Sequence, residues 1–555
     1  MKTNINLPSL LLSAMIITVS MGGCTHNDST LGTSYPISDN SQQWNYDDSD
    51  SIIIELTGTS AKCTHESVNI NNSVITITGN ETYTISGNLE NGSIIVNAPS
   101  NAKPRLILKN AHITAANTAA VYISNADHVY ITAADSTDNS LASTDFTDDN
   151  TIDGALFSKD DITLEGSGKL TISSDGHGIV CNDDLTVAGG MYDINSADNA
   201  LDAHDSITLA NSMITADAGN DGIHCENNDD SSKGSILIEN STLNITSQCD
   251  GISAENNIEI NGGEISITTG GGSKVSENNM LDDFPPTGRP RQNKFNDNSA
   301  ENTQPSSKGI KSKSSITINS GAFNIDAADD AIHSDISAVI NGGSFSVKTS
   351  DDAIHCNEKL MITDGSIAVN QCYEGLEADI IEISGGTIDI YANDDGINAA
   401  DSTSSNNIGR FEKGNSNIII SGGTLNVTAK GDCIDANGNL TVNGGNTVLQ
   451  SGDRGDTAML DYDRIAEING GTFIATGSSS MAQSFSGGNQ GYIAVICGKQ
   501  AAGTKINVTD SNGDIIITHS PALSFKALII STPQLVSNDT CTLTVGSSSQ
   551  EFTIK

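Results

Sequence analysis

Basic residues are scarce in this chain. Its 555 residues carry 26 Lys+Arg against 69 Asp+Glu, a formal net charge of −43. That balance excludes a nucleic-acid binder, which needs a basic face to meet phosphate, and excludes charge-driven docking on an anionic membrane surface. Aromatic residues are 4% with one Trp, Trp44, so broad aromatic platforms for neutral sugars have little to be made from. Hydrophobic residues at 36% are thin for a thick globular core, yet too many for a disordered chain. No CxxC pair occurs, which argues against a structural zinc site. Beyond the first two dozen residues no apolar run is long enough to span a bilayer. What the chain has instead is 53 Gly, many Asx residues and a repeat, which makes an estimate of three or four domains from length meaningless.

The N-terminus reads as an address. Lys2 precedes an apolar run through Leu10, Leu11, Leu12, Met15, Ile16, Ile17 and Val19, and Met21-Gly22-Gly23-Cys24 follows. Small residues before a Cys at the end of such a run resemble a bacterial lipobox, with residues 1–23 as signal peptide and Cys24 as the lipidated first mature residue; a plain signal peptide cut nearby is the alternative. Residues 24–50 form a polar tether. The expectation is an exported protein held at the cell envelope.

Aligning on a small residue followed by Ile or Leu gives Ala155, Gly178, Ala200, Gly222, Gly251, Gly309, Ala331, Ala353, Gly375, Gly396 and Cys433, with Asp456–Leu460 as a degenerate further unit. The basic step is 22 residues, interrupted by insertions. Each unit holds three short alternating runs, such as Ile354-His355-Cys356, Leu360-Met361-Ile362 and Ile367-Ala368-Val369, and the last two are separated by a glycine turn. Three strands per 22 residues exclude a helical solenoid and predict an all-β parallel β-helix over 51–476, with each turn burying its Ile, Val and Leu on its neighbours. Turns 51–150 are irregular and 151–476 regular. The inserts 274–307 and 402–414 leave as loops, and 477–555 read as an antiparallel-style β cap or sandwich that closes the last open edge. Cys181, Cys225 and Cys356 share a slot that also takes Ser or Ala, so they read as stacked core thiols.

One column stands out. The residue before the small one is Asp221, Asp250, Lys308, Asp330, Asp352, Glu374, Asp395 and Asp432 in consecutive units, preceded in turn by Asp329, Asp351 and Asp394. Two positions after the small residue come Asp202, His224, Ser253, Lys311, His333, His355, Glu377, Asn398 and Asp435. Stacked at about 4.8 Å on the outside of the β-helix, such carboxylates repel unless a cation lies among them. Ca²⁺, hard and tolerant of many oxygen ligands, suits Asp329, Asp330, Asp351, Asp352, Glu374, Glu377, Asp394, Asp395, Asp432 and Asp435. The competing role is turn capping, since Asp and Asn cap backbone groups at turns. His224, His333 and His355 read as a stacking column, a transition-metal site or sugar contacts.

The ordered set Lys308-Gly309-Ile310-Lys311, Asp329-Asp330-Ala331-Ile332-His333, Asp351-Asp352-Ala353-Ile354-His355, Tyr373-Glu374-Gly375-Leu376-Glu377, Asp394-Asp395-Gly396-Ile397-Asn398 and Gly431-Asp432-Cys433-Ile434-Asp435 resembles the bacterial carbohydrate-binding β-helix proteins related to pectate lyases. The segments Asp461-Tyr462-Asp463 and Ile468-Asn469-Gly470-Gly471 match the C-terminal part of that family, and the resemblance covers residues 50–555. It implies a right-handed parallel β-helix, Ca²⁺ at the Asp columns, and acidic or cellulosic polysaccharide as partner. It does not settle catalysis. The reading adopted is a surface binder of acidic polysaccharide that depends on Ca²⁺, with His333, His355, Tyr373, Arg289 and Arg291 as substrate contacts. The alternatives are a Ca²⁺-dependent polysaccharide lyase, with Lys308 or Lys311 as a base of lowered pKa, although a lysine beside Asp more often forms a plain ion pair that relieves the column's repulsion, and a structural or adhesive surface rod.

Overall fold

The computed structural model describes residues 48–147, 151–274, 305–400, 416–452, 455 and 457–555. Cys24, the signal peptide, most of the tether, Trp44, Asp456, Arg289, Arg291 and nearly all of both inserts lie outside the described residues. Every regular element among the described residues is a strand.

Within one unit the strands are Ile354–Cys356, Lys359–Ile362 and Ser366–Cys372. Each pairs in parallel with its counterpart one repeat away: Ile354 with Leu376, Leu360 with Ile381, and Ile367 with Ile388. Three parallel ladders result. The alignment on small residues is the register of the first ladder, in which Ile179, Leu201, Ile223, Ile252, Ile310, Ile332, Ile354, Leu376 and Ile397 pair in succession. The long spacing from Gly251 to Gly309 leaves that register unbroken, because Ile252 still pairs with Ile310. An insertion that leaves the stack between two strands costs only loop-closure entropy.

Alternation along each strand puts Ile, Val and Leu inward, and the apolar columns form one continuous core. A fully buried Ile contributes about 1.5–3 kcal/mol. The small residue that defines the repeat is small for a local reason: a Cβ on Gly251 would lie 2.5 Å from both the Gly309 carbonyl oxygen and Ile267 Cγ2. The glycine turns are required twice over. Gly445 has φ +82° and would bring a Cβ within 2.7 Å of the Gly422 carbonyl oxygen. Beside these turns Asn261, Asn319 and Asn341 pass side-chain amide hydrogen bonds of 2.7 and 2.8 Å up the stack. Cys181, Cys225 and Cys356 are buried beside Ala203, Ala254 and Ser334 in one column, and the nine described cysteines are all free thiols.

The ladders change at both ends. Val68–Asn71 pairs antiparallel with Val74–Ile77, which then carries the parallel ladder on through Ser93–Asn97 and Val121–Asn125. At the other end Thr472–Gly477 is covered antiparallel by Phe525–Ser531, which also pairs antiparallel with Tyr492–Gln500. A separate four-stranded antiparallel sheet follows, built from Ile506–Thr509, Ile515–His519, Thr540–Val545 and Ser548–Thr553. These residues pack a second core around Ile493, Ile506, Phe525 and Leu543.

Candidate functional site

The acidic column divides into two layers. Its inner members are not on the outer surface: Asp221, Asp250, Asp330, Asp352, Asp395 and Asp432 are all buried. The reason is a backbone ladder. Oδ1 of Asp221 accepts the N–H of Asp250 at 2.8 Å, Asp250 Oδ1 that of Lys308 at 2.8 Å, Asp330 Oδ1 that of Asp352 at 3.0 Å, Asp395 Oδ1 that of Asp432 at 2.6 Å, and Asp432 Oδ1 that of Ala458 at 2.6 Å. Asn199 does the same for Asp221 with its amide oxygen at 3.0 Å. Each carboxylate thus satisfies a turn N–H of the next unit that the strand ladders leave over. The outer layer is half-buried: Asp329, Asp351 and Asp394 at the turn, and Lys311, His333, His355, Glu377, Asn398 and Asp435 facing out from the first ladder.

Side-chain cations are built into part of this column. Lys308 Nζ lies 2.6 Å from Asp330 Oδ2 and 3.1 Å from Asp329 Oδ2, and Lys311 Nζ lies 2.8 Å from Asp250 Oδ2. Burial alone would lower the Lys308 amine, but Asp330 and Asp329 outweigh it and hold the group well above the ordinary lysine range. A lysine base of lowered pKa is therefore corrected for Lys308: its proton is held by two carboxylates. Burial acts to raise Asp330 as well, yet His333 and Lys308 keep it far below the usual carboxylate range.

One unit on, His355 Nδ1 lies 3.1 Å from Asp352 Oδ2 and 3.3 Å from Glu377 Oε2. Against the effect of burial these two carboxylates push His355 up to about 11. Burial presses Glu377 upward too, but His355 holds it below the ordinary range, while burial lifts Asp352 well above. The single imidazolium is thus shared between Asp352 and Glu377.

Beyond His355 the described side chains around Glu374 supply oxygen in place of positive charge. Burial, then the charge of Glu377, push Glu374 up to about 8, and it accepts only the Asn398 amide N–H at 2.8 Å. Asn398 Oδ1 is buried without a hydrogen-bond partner. Asn398 pairs in register with Asp435, and Tyr373, 42% exposed, donates to Asp394. Tyr391, 45% exposed, stands on the neighbouring strand with Lys430 Nζ 6.0 Å from its ring centroid. The structure therefore brings Glu374, Glu377, Asp394, Asp395 and Asp435 into one neighbourhood with Tyr373 and Asn398. The orphaned Asn398 oxygen is a feature that sequence reasoning missed; its place in the column was visible, its lack of a donor was not. Three carboxylate and imidazole groupings have their ligand atoms within 4.8 Å of one another: Asp329–Asp330–Asp351, Asp330–His333–His355 and Asp352–His355–Glu377.

A second surface has sugar-like chemistry. A shallow groove of about 490 Å³ runs over the third ladder, lined by Thr242, Asn244, Glu264, Ser266, Asn324 and Ser346 above the stacked Phe323 and Phe345 rings, whose centroids are 4.5 Å apart.

Residues 71–353 and 350–520 match the family described as carbohydrate-binding domain-containing protein. A carbohydrate-binding domain-containing protein of Acetivibrio thermocellus is 35% identical over 114 residues, which is 20% of this chain and 40% of that relative, so the chain spans well under two thirds of its length. A solved structure described as the polysaccharide lyase-like protein from C. thermocellum, gadolinium derivative, aligns over 40% of this chain and 92% of its own with 28% identity and a TM-score of 0.39. With matched segments running from residue 71 to residue 520, this chain belongs to the family of carbohydrate-binding domain-containing proteins.

Proposed function

We propose that the protein is an envelope-anchored binder of acidic polysaccharide whose grip depends on Ca²⁺. Carbohydrate is the partner class that the family name carries; the acidic type, the cation and the anchor are this reading's own. The observation that carries it is the orphaned, buried Asn398 Oδ1 beside Glu374, whose carboxyl is pushed up to about 8. Both are oxygen groups with no positive partner, the donor set that a hard cation accepts. Asp329 and Asp330 are already served by Lys308, and Asp352 and Glu377 by His355. The residues that would hold Ca²⁺ in this reading are Glu374 and Asn398, with Asp394, Asp395 and Asp435 of the same neighbourhood. When bound, the ion supplies positive charge that protein carboxylates share with uronate carboxylates, which lets a chain of net charge −43 hold an anionic polymer. Tyr373 and Tyr391, the exposed aromatics of this neighbourhood, offer apolar faces to sugar rings.

In this reading the three ladders form a right-handed parallel β-helix. The parallel register supports it, since connections between parallel strands are right-handed in about 98% of cases. Cys24 carries the lipid that holds the exported chain at the envelope. Co-sedimentation with insoluble polygalacturonate and with cellulose, in Ca²⁺ and in EDTA, tests the proposal. It predicts retention on polygalacturonate in Ca²⁺ that EDTA abolishes and Glu374→Gln weakens. Equal retention in EDTA would count against it.

A further inference from the structure

We propose that Lys430 and Tyr391 form a carboxylate-reading subsite, in which the lysine ammonium pairs directly with a uronate carboxylate of the bound glycan while the tyrosine carries the sugar ring. The proposal rests on the polysaccharide reading above and adds to it the residue that meets the sugar's charge without an intervening ion. Lysines elsewhere in the ladders are spent on protein carboxylates: Lys308 on Asp330, Lys311 on Asp250, Lys313 on Glu255 and Lys359 on Glu382. Lys430 departs from this pattern. Among the described residues its Nζ forms no ion pair, and it donates instead to the neutral Asn393 Oδ1 at 2.8 Å.

The ladder places this lysine and its neighbours aim it. Lys430 directly follows the strand Thr424–Ala429, whose Thr428 and Ala429 pair with Tyr391 and Ala392, and its own N–H donates to the Ala392 carbonyl at 3.2 Å. Register thus carries it onto Asn393. The Asn393 amide is fixed in turn, because Nδ2 donates to the Cys372 carbonyl oxygen at 3.0 Å and leaves Oδ1 for the amine. The amine also stands 6.0 Å from the centroid of the Tyr391 ring, within cation–π range, and that ring is 45% exposed. Neither partner is negative, so the ammonium is oriented without being neutralised, and Asn393 takes one of its three N–H donors. The same turn ties the subsite to the oxygen-rich neighbourhood, since the Gly431 N–H donates to the Asp394 carbonyl at 2.8 Å and the Asp394 carboxylate accepts from Tyr373. A polyuronate carries a carboxylate on every ring. One can meet Ca²⁺ held around Glu374 while another, on the sugar stacked against Tyr391, meets the Lys430 ammonium.

The test is calorimetric titration of the protein with a soluble oligogalacturonate at one fixed Ca²⁺ concentration. Lys430→Met should weaken binding at least about tenfold, the effect of losing one charge-assisted hydrogen bond. Lys430→Arg, which keeps a cation in place, should restore most of the affinity. Lys359→Met removes the same charge from the chain at an amine already paired with Glu382, and should bind as the wild type does. Melting curves without glycan supply the second readout: the rise that Ca²⁺ produces should be the same in Lys430→Met as in the wild type, which separates the lysine from the ion site and shows that the variant folds. Should Lys430→Met fail to fold, Lys430→Gln carries the same prediction. Full affinity in the uncharged variant, a loss that Lys430→Arg does not restore, or a lost Ca²⁺ shift would each overturn the subsite while the Ca²⁺-dependent binding of the wild type still stands. No binding by the wild type in Ca²⁺ would overturn the binder reading and the subsite with it.

Discussion

Lys308 Nζ lies 2.6 Å from Oδ2 of Asp330, while the other oxygen of that carboxylate accepts the Asp352 N–H at 3.0 Å. One buried side chain therefore neutralises a charge with one oxygen and closes a turn with the other. The two functions can be separated by substitution, because only the first needs a carboxylate.

Lys308→Met should destabilise the protein by about 3–5 kcal/mol, since it leaves Asp330 buried and unpaired. Adding Asp330→Asn should restore most of that loss, because the amide oxygen keeps the cap without the charge. Chemical denaturation of the two variants measures both effects. Loss in the single variant that the double variant fails to recover would mean that the lysine acts elsewhere.

Asp221→Asn should stabilise the protein above neutral pH. Burial, then Asp250, push Asp221 up to about 6, against about 3.9 for an exposed Asp. The folded state holds this proton more tightly than the unfolded one, so the favourable contribution is complete below about pH 4 and is lost as pH rises to about 6. At pH 8 the wild type should be less stable than the variant by about 1–3 kcal/mol, and at pH 4 the two should coincide. Asn199 already fills the equivalent place one unit earlier with the same backbone bond. Thermal melts across that range decide it; a variant weaker at every pH would show that the charge itself is needed.

Ca²⁺ should raise the melting temperature of the wild type by mass action, worth about 2.7 kcal/mol at a hundredfold excess over Kd. Asn398→Ala and Glu374→Gln should each remove most of that gain while changing stability in EDTA little. A full Ca²⁺ shift in both variants would move the ion away from Glu374.

Tyr373→Ala and Tyr391→Ala should each weaken polysaccharide retention about five- to thirtyfold, the usual cost of truncating an exposed aromatic anchor. A parallel substitution on the groove, Ser346→Ala, should have little effect. The reverse pattern would transfer glycan binding to the third ladder.

The register of the ladders was legible in the sequence because one slot tolerates no bulk: Gly251 meets the Gly309 carbonyl and Ile267, so the small residue marks every unit, even across the insertion before Gly309. The chemistry of the column was less so. A pair such as Asp329-Asp330 looks like two equivalent ligands on paper, yet Asp330 turns in to cap Asp352 while Asp329 stays half-exposed. That Lys308 and Lys311 act as counter-ions of the column was legible, but which carboxylate each reaches was not, because periodicity fixes position along a strand and not the neighbour a flexible amine meets. The place of Asn398 in the column was legible but its orphaned oxygen was not, because an unfilled acceptor is a property of its surroundings and not of its type.

The central claim is retention without cleavage, and it is tested most directly by incubating the protein with polygalacturonate in Ca²⁺ and following bound protein and the ultraviolet absorbance of unsaturated uronate ends in the same reaction. The account predicts Ca²⁺-dependent retention with flat absorbance. Rising absorbance that is lost in Lys311→Ala would contradict it and make the protein a lyase.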